Sequence, residues 1–308
     1  MQFISKFILL LSGLCLSGTA MAADTLALQK VTANVYAIVG DMGNRSPENL
    51  GNNATFGFVV TPAGVVVIDS GGSYQGGQAL AKVIKRVTDK HVIKVINTGG
   101  QDHRWLGNGY FRQRGADIIA SRAAVKDQRA RTQDQLFMLG NLVGVKALKS
   151  TNAVYANQTF AKQMQFAVGG TRFEIIHAGP AHTPGDSFVW LPKQRVMFSG
   201  DIVFTQRILG VLDYSNSKSW VKVFQRMAAY HPKYIVPGHG HPTTLAKAKE
   251  DTYDYLVFLR QAVTKFMKAG GDISDVGKID QSRFKYLINF DTLAGRNAQR
   301  VYSELEWE

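Results

Sequence analysis

Ala178-Gly179-Pro180-Ala181-His182-Thr183-Pro184-Gly185-Asp186-Ser187-Phe188-Val189-Trp190-Leu191, closed by Phe198-Ser199-Gly200-Asp201, is the stretch on which the reading of this chain turns. His182 sits on a Gly- and Pro-rich turn, which keeps the backbone at the surface and frees the imidazole to face a cleft. Two apolar runs follow, residues 188–191 and 196–199, separated by Pro192-Lys193-Gln194-Arg195, in the pattern of a hairpin. Asp201 emerges just past the second run, beside a glycine that lets the backbone bend sharply. Farther on, Tyr234-Ile235-Val236-Pro237-Gly238-His239-Gly240-His241-Pro242 repeats the arrangement: a short apolar strand, then a turn carrying histidine. Three strand ends thus deliver His, Asp and His to loops, and zinc or iron accepts those ligand types. Three unrelated turn residues are the plainer alternative, and the shared punctuation argues against it.

Together with Val66-Val67-Ile68-Asp69-Ser70-Gly71 upstream, the His-Thr-Pro-Gly-Asp, Ser-Gly-Asp and Pro-Gly-His-Gly turns resemble the metallo-β-lactamase superfamily of metallohydrolases, over roughly residues 30 to 245. The resemblance implies an α/β chain in an αββα sandwich, two mixed β-sheets between helices. Its site would lie at one edge, where the strand-end loops meet. It also implies a hydrolase in which metal activates water.

In that family the strand before the first metal loop runs into His-x-His-x-Asp-His. Here the text is Asn97-Thr98-Gly99-Gly100-Gln101-Asp102-His103-Arg104-Trp105-Leu106-Gly107-Asn108. Without a gap, Gly99 and Gln101 replace the first two histidines, His103 replaces the aspartate and Arg104 the last histidine. A one-residue shift puts Asp102-His103 in the Asp-His role, at the expense of an insertion before Gly107. The flanking Asn97-Thr98 and Gly107-Asn108 favour the ungapped register. Either way the first metal keeps His182 and a weak Gln101 amide, a poor ligand beside imidazole. The second keeps His103, Asp201 and His239, with Asp102 added in the shifted register, and leaves a position open as a catalytic zinc requires. The resemblance therefore implies one zinc per chain rather than two, with iron as the other metal these ligands accept. Asp201 is expected to orient the water. Arg104 has two readings: it pairs bidentately with an anionic substrate, or it fills the vacated metal position and holds Asp201. Asp69 either supports the metal loops or shapes its own turn, and residues 41–53 are either a substrate flap or an ordinary hairpin loop.

The chain opens with Lys6, an apolar run to Cys15, and Ala20-Met21-Ala22-Ala23. That is the layout of a signal peptide cleaved after residue 22, too short to span a membrane. The expectation is export to a bacterial periplasm. Cys15 is the single cysteine, so the mature chain would have no disulfide, zinc thiolate or cysteine nucleophile. The formal charge is +13, to which Lys6 contributes one. Lys and Arg are scattered, with no basic tract and no nucleic-acid motif. No other segment reads as a membrane span.

The remaining pattern predicts strands at 35–39, 56–60, 65–68, 91–97 and 116–120, helices at 122–140 and 220–230, and a hairpin through Gly169-Gly170. Residues 141–160 show no clear period. A loop over residues 202–215 lies where the family lines its cleft. His91, His177 and His231 fit no ligand position, and His241 stands as a group supporting His239. Residues 23–268 form the expected metallo-β-lactamase-like domain, and residues 269–308 a helical extension packed on it. The tail Arg296-Asn297, Tyr302, Glu304-Leu305-Glu306 resembles exported quinoprotein relay zinc metallohydrolases and Sox-cluster H proteins. The leading function is a periplasmic hydrolase of an ester, thioester, amide or lactone, with a β-lactam among the candidates, acting on a small-molecule substrate. The alternative is a metal-poor binding protein of the same fold that serves a periplasmic redox partner.

Overall fold

The structure is a computed structural model and describes residues 25–308, so the expected signal segment, with Cys15, lies outside the described residues. The first half builds strands β1 (Ala27–Lys30), β2 (Val35–Val39), β3 (Thr55–Thr61) and β4 (Gly64–Ile68). Helix α1 (Tyr74–Lys85) leads to β5 (Val92–Ile96), and short helices α2 (Asp102–Trp105) and α3 (Asn108–Arg112) lead to β6 (Asp117–Ser121). Helix α4 (Arg122–Ala147) then leads to β7 (Gln158–Phe160). The β-branched run of β4 is buried along its whole length, as a strand covered on both faces must be. Ser73 and Ser121 start α1 and α4, each accepting a backbone N–H three residues on.

The second half adds β8 (Gln163–Val168), β9 (Thr171–Ile176), β10 (Phe188–Leu191) and β11 (Val196–Phe198). Helix α5 (Ser217–Ala228), strand β12 (Tyr234–Val236), and helices α6 (Leu245–Ala248), α7 (Asp254–Lys268) and α8 (Phe290–Leu305) complete it. One sheet runs β1 to β7 in chain order, antiparallel to β4 and parallel beyond. The other runs β12-β11-β10-β9-β8, with β11 and β12 parallel. Both sheets are mixed, as expected.

Three apolar layers hold the sandwich. Val66, Ile68, Ile96 and Ile119 of the first sheet meet Ile175, Val189, Leu191 and Phe198 of the second. Outside the first sheet, Leu80, Val83 and Ile84 of α1 pack on Phe58, Val67 and Val95. Outside the second, Trp220 and Phe224 of α5, Leu259 and Val263 of α7, and Ala298 and Val301 of α8 share one cluster. The tail helix is thus part of the outer core.

Parallel pairing sets the site. Ile68 lies opposite Ile96 and Phe198 opposite Val236, so within each sheet the turns after the two partners leave by the same edge. A hydrogen bond from Thr55 N–H to the Gly238 carbonyl, 2.7 Å, ties the two edges together. Residues 122–140 were expected to be helical; the helix runs on to Ala147, broken at Gly144, where φ is +79°. Residues 141–160, without a sequence period, hold its end and β7.

Candidate metal centre

Among the described residues, His103 of α2, Asp201 after β11 and His239 after β12 bring one ligand atom each to within 4.8 Å of one another. Nε2 of His103 lies 3.2 Å from Oδ2 of Asp201, and Nε2 of His239 lies 3.3 Å from Oδ1. Zinc ligands at about 2.0–2.1 Å in a tetrahedron stand about 3.3 Å apart, so the spacing and donor types fit a zinc ion. Gly200, with φ +51°, aims Asp201: a Cβ there would come within 2.3 Å of Thr98 Oγ1.

Both outer ring nitrogens meet arginine. Arg45 Nη2 donates to His103 Nδ1 at 2.8 Å, and Arg207 Nη1 to His239 Nδ1 at 3.3 Å. A guanidinium has no acceptor, so both Nδ1 atoms accept and both Nε2 atoms carry the proton that faces Asp201. A metal taken through Nε2 asks for the reverse, with Nδ1–H donating outward. Loading the centre therefore requires Arg45 and Arg207 to turn from the rings.

Arg104 is wholly buried beneath this group. It gives Nε and Nη2 to the two oxygens of Asp201, at 3.0 and 2.6 Å, and Nη1 to Asp69 Oδ2 at 2.9 Å. Its remaining bonds go to the carbonyls of Thr55 and Gly238. Burial alone would raise the Asp201 carboxyl; Arg104, then His103, hold it well below the usual carboxylate range. Burial pushes His239 well below the ordinary imidazole value, against the pull of Asp201, so it is neutral and free of bound charge at pH 7.

The family model for the metallo-beta-lactamase superfamily matches residues 51–239. The chain belongs to this superfamily. The type 2 metallo-beta-lactamase of Elizabethkingia meningoseptica is 28% identical over 186 residues, 59% of this chain and 67% of that protein. A metallo-beta-lactamase from Pontibacter korlensis superposes with a TM-score of 0.60 at 22% identity, over 75% of this chain and 99% of that one. The sec-alkylsulfatase Pisa1 from Pseudomonas sp. gives 0.69 at 15% identity, over 90% of this chain and 50% of that one. These two structural likenesses show the fold. Superfamily members are metal-dependent hydrolases, and the cluster in this chain is a possible metal site.

His103 joins Asp201 and His239, as either register of the superfamily motif expects. Asp102 stays outside that group, since its carboxylate pairs with Arg45 and accepts the His103 backbone N–H. The first metal half is filled with protein. A Cβ on Gly99 would come within 2.4 Å of Asp186 Oδ1, and one on Gly100 within 1.8 Å of Asp127 Oδ2. Gln101 Oε1 is taken by the Tyr214 hydroxyl at 3.0 Å. His182 lines the same cavity but stands apart from the three-residue group. It donates Nδ1–H to the Gly210 carbonyl at 3.0 Å and lies among the Phe204 and Trp220 rings. Burial brings its pKa down to about 4, so it is neutral, with Nε2 unprotonated.

Several readings are corrected here. Arg104 does not reach a substrate: its burial and its five bonds leave the Asp201-holding role. Asp201 has both oxygens committed to that guanidinium, which leaves it poorly placed to orient water. Asp69 does both things expected of it, accepting Arg104 and Thr98 from a turn with φ +65°. His241 hydrogen-bonds Gln29 of β1 at 2.6 Å and supports that strand. His177 bonds the Asp186 carbonyl, 2.7 Å away. The loop at 41–53 is a β2–β3 hairpin connection and also cavity wall, through Arg45 and Asn53.

Three residues escaped the sequence reading. Arg45 and Arg207 sit in the loops at 41–53 and 202–215, which the sequence marks as candidate cleft walls, but no motif singles out either arginine. Asn297 accepts from Val211 N–H and donates to the Leu209 carbonyl, both at 2.8 Å, bracketing the Gly210 that holds His182. The sequence marks its Arg296-Asn297 setting only as a tail motif.

Proposed function

We propose that this chain is an exported hydrolase that works with one zinc ion, held by His103, Asp201 and His239. The two histidine-to-carboxylate spacings of 3.2 and 3.3 Å, near a tetrahedron edge, with all three ligand atoms within 4.8 Å of one another, carry the reading. The filled position beside Gly99 supports one ion over two. When bound, the ion acidifies water and polarises the carbonyl of an ester, thioester, amide or lactone, including a β-lactam. Asp201 enters as a carboxylate oriented by Arg104, and His239 enters neutral, so at pH 7 neither must lose a charge-bearing proton. His182 Nε2 offers a fixed proton acceptor on the wall of a cavity of about 510 Å³. Tyr214, raised by burial to about 12, stays protonated there as a donor. Phe204 stacks on His239 with ring centres 4.6 Å apart and keeps water from that side of the ring.

Elemental analysis of the exported protein tests this. About one zinc per chain, lost in His103→Ala and His239→Ala, together with turnover in an ester, thioester and lactam screen, is the expected result. No metal after reconstitution overturns the mechanism. Intact mass of the periplasmic protein tests export, with a chain beginning at Ala23 expected and one beginning at Met1 against it.

A further inference from the structure

The cavity beside the metal centre is charged at one wall and apolar at another. Arg207 is 9% exposed, yet no carboxylate among the described residues pairs with it. Its partners are the Gly43 carbonyl, 3.0 Å, and the neutral His239 ring. Its Nε is buried and donates to nothing, and the same is true of Arg45 Nε. Asp201 and Asp41 attract Arg207, but neither carboxylate pairs with it. The other arginines of the cavity are neutralised: Arg45 by Asp102 and Arg131 by Asp127. A buried cation with an idle N–H and no directly paired counter-ion is costly unless an anion completes it.

Facing the same cavity are Met138 and Leu142 of α4, 55% and 43% exposed, with Leu212 and Leu293 also in the lining. Large apolar side chains so open to water beside a concave site are a surface awaiting a ligand.

We infer that the substrate is a small anionic amphiphile: a carboxylate or sulfate seated at Arg207 and Arg45, with a hydrocarbon arm lying along Met138 and Leu142. This deepens the hydrolase reading by naming the substrate class of that site, and charge complementarity commits the apolar wall to the arm of the same molecule. It also supplies the place to which the two guanidinia turn when the histidines take a metal.

Calorimetric titration with straight-chain carboxylates and alkyl sulfates of four to eight carbons, matched by the neutral alcohols, tests it on full-length mature protein with and without chelator. Anions are expected to bind at least tenfold tighter than alcohols. Affinity should rise roughly threefold to fourfold for each added methylene. Arg207→Gln should abolish the preference for anions and keep the chain-length dependence, and Met138→Ser with Leu142→Ser should do the reverse. Those two side chains are exposed, so the double variant is expected to fold. Equal binding of alcohols and anions, or affinity independent of chain length, overturns the inference. Binding is read without turnover, so a protein that binds these anions but hydrolyses nothing refutes the hydrolase reading alone.

Discussion

Arg104 grips both carboxylate oxygens of Asp201 from beneath, Nη2 to Oδ1 at 2.6 Å and Nε to Oδ2 at 3.0 Å, and neither side chain touches solvent. The same guanidinium neutralises Asp69. Removing it leaves two buried carboxylates facing each other. Arg104→Met is expected to lower unfolding free energy by about 3–5 kcal/mol in denaturant titration, because a buried charge without its partner is far costlier than the intact pair is favourable. Arg104→Lys keeps the charge but not the five-donor fork, and should fall between. A methionine variant as stable as the parent would show that the grip holds nothing together.

Gly99→His restores the histidine of the superfamily motif on paper. The imidazole would run into Asp186, so the variant should still hold about one zinc and should lose about 1–3 kcal/mol to overpacking. Two zinc ions per chain by elemental analysis would contradict the account of the filled half-site.

Asp186 is buried, and that burial lifts its pKa to about 8 against the hydrogen bonds from Thr183. Its folded pKa lies above the unfolded value near 4, so its proton favours the folded state. That contribution is complete below about pH 4 and fades as pH rises to about 8. Unfolding titrations at steps from pH 5 to 8 should show parental stability falling with a slope of up to about 1.4 kcal/mol per pH unit from this group. Asp186→Asn should remove that slope; an unchanged pH profile would place the carboxylate elsewhere.

Asn297→Ala removes the brackets around Gly210. A stability loss of about 1–2 kcal/mol is expected from the unmade bonds to Leu209 and Val211. Amide exchange should quicken at residues 209–211, and turnover should drop because His182 loses its fixed carbonyl partner. Slow exchange retained at those amides would mean that the loop is held by its apolar contacts alone.

Much of the fold was legible because it rests on local patterns. The apolar run of β4, the hairpin through Gly169-Gly170 and the Gly/Pro turns after β11 and β12 each announce a strand and its end from the adjacent residues. Asp201 and His239 were singled out the same way, together with His182, whereas His103 was reached only through the resemblance of residues 97–108 to the superfamily motif. The outer reach of α4 was missed because its last turns bury Val143 and Ala147 yet leave Val145 in water, which blurs the helical period.

What the sequence determined by itself is the strands and the turns that end them, since hydrophobic period and turn chemistry act between near neighbours; the superfamily sandwich and its edge site were legible through the resemblance those turns carry. What only the tertiary structure decided is the state of the charges there. Arg104 is a buried clamp because Asp69 and Asp201 pair with it directly, whereas Asp201 and Asp41 attract Arg207 without pairing with it. Those neighbours come from strands and loops distant in sequence. The energy of a charge depends on what surrounds it in space, and chain order does not encode that directly.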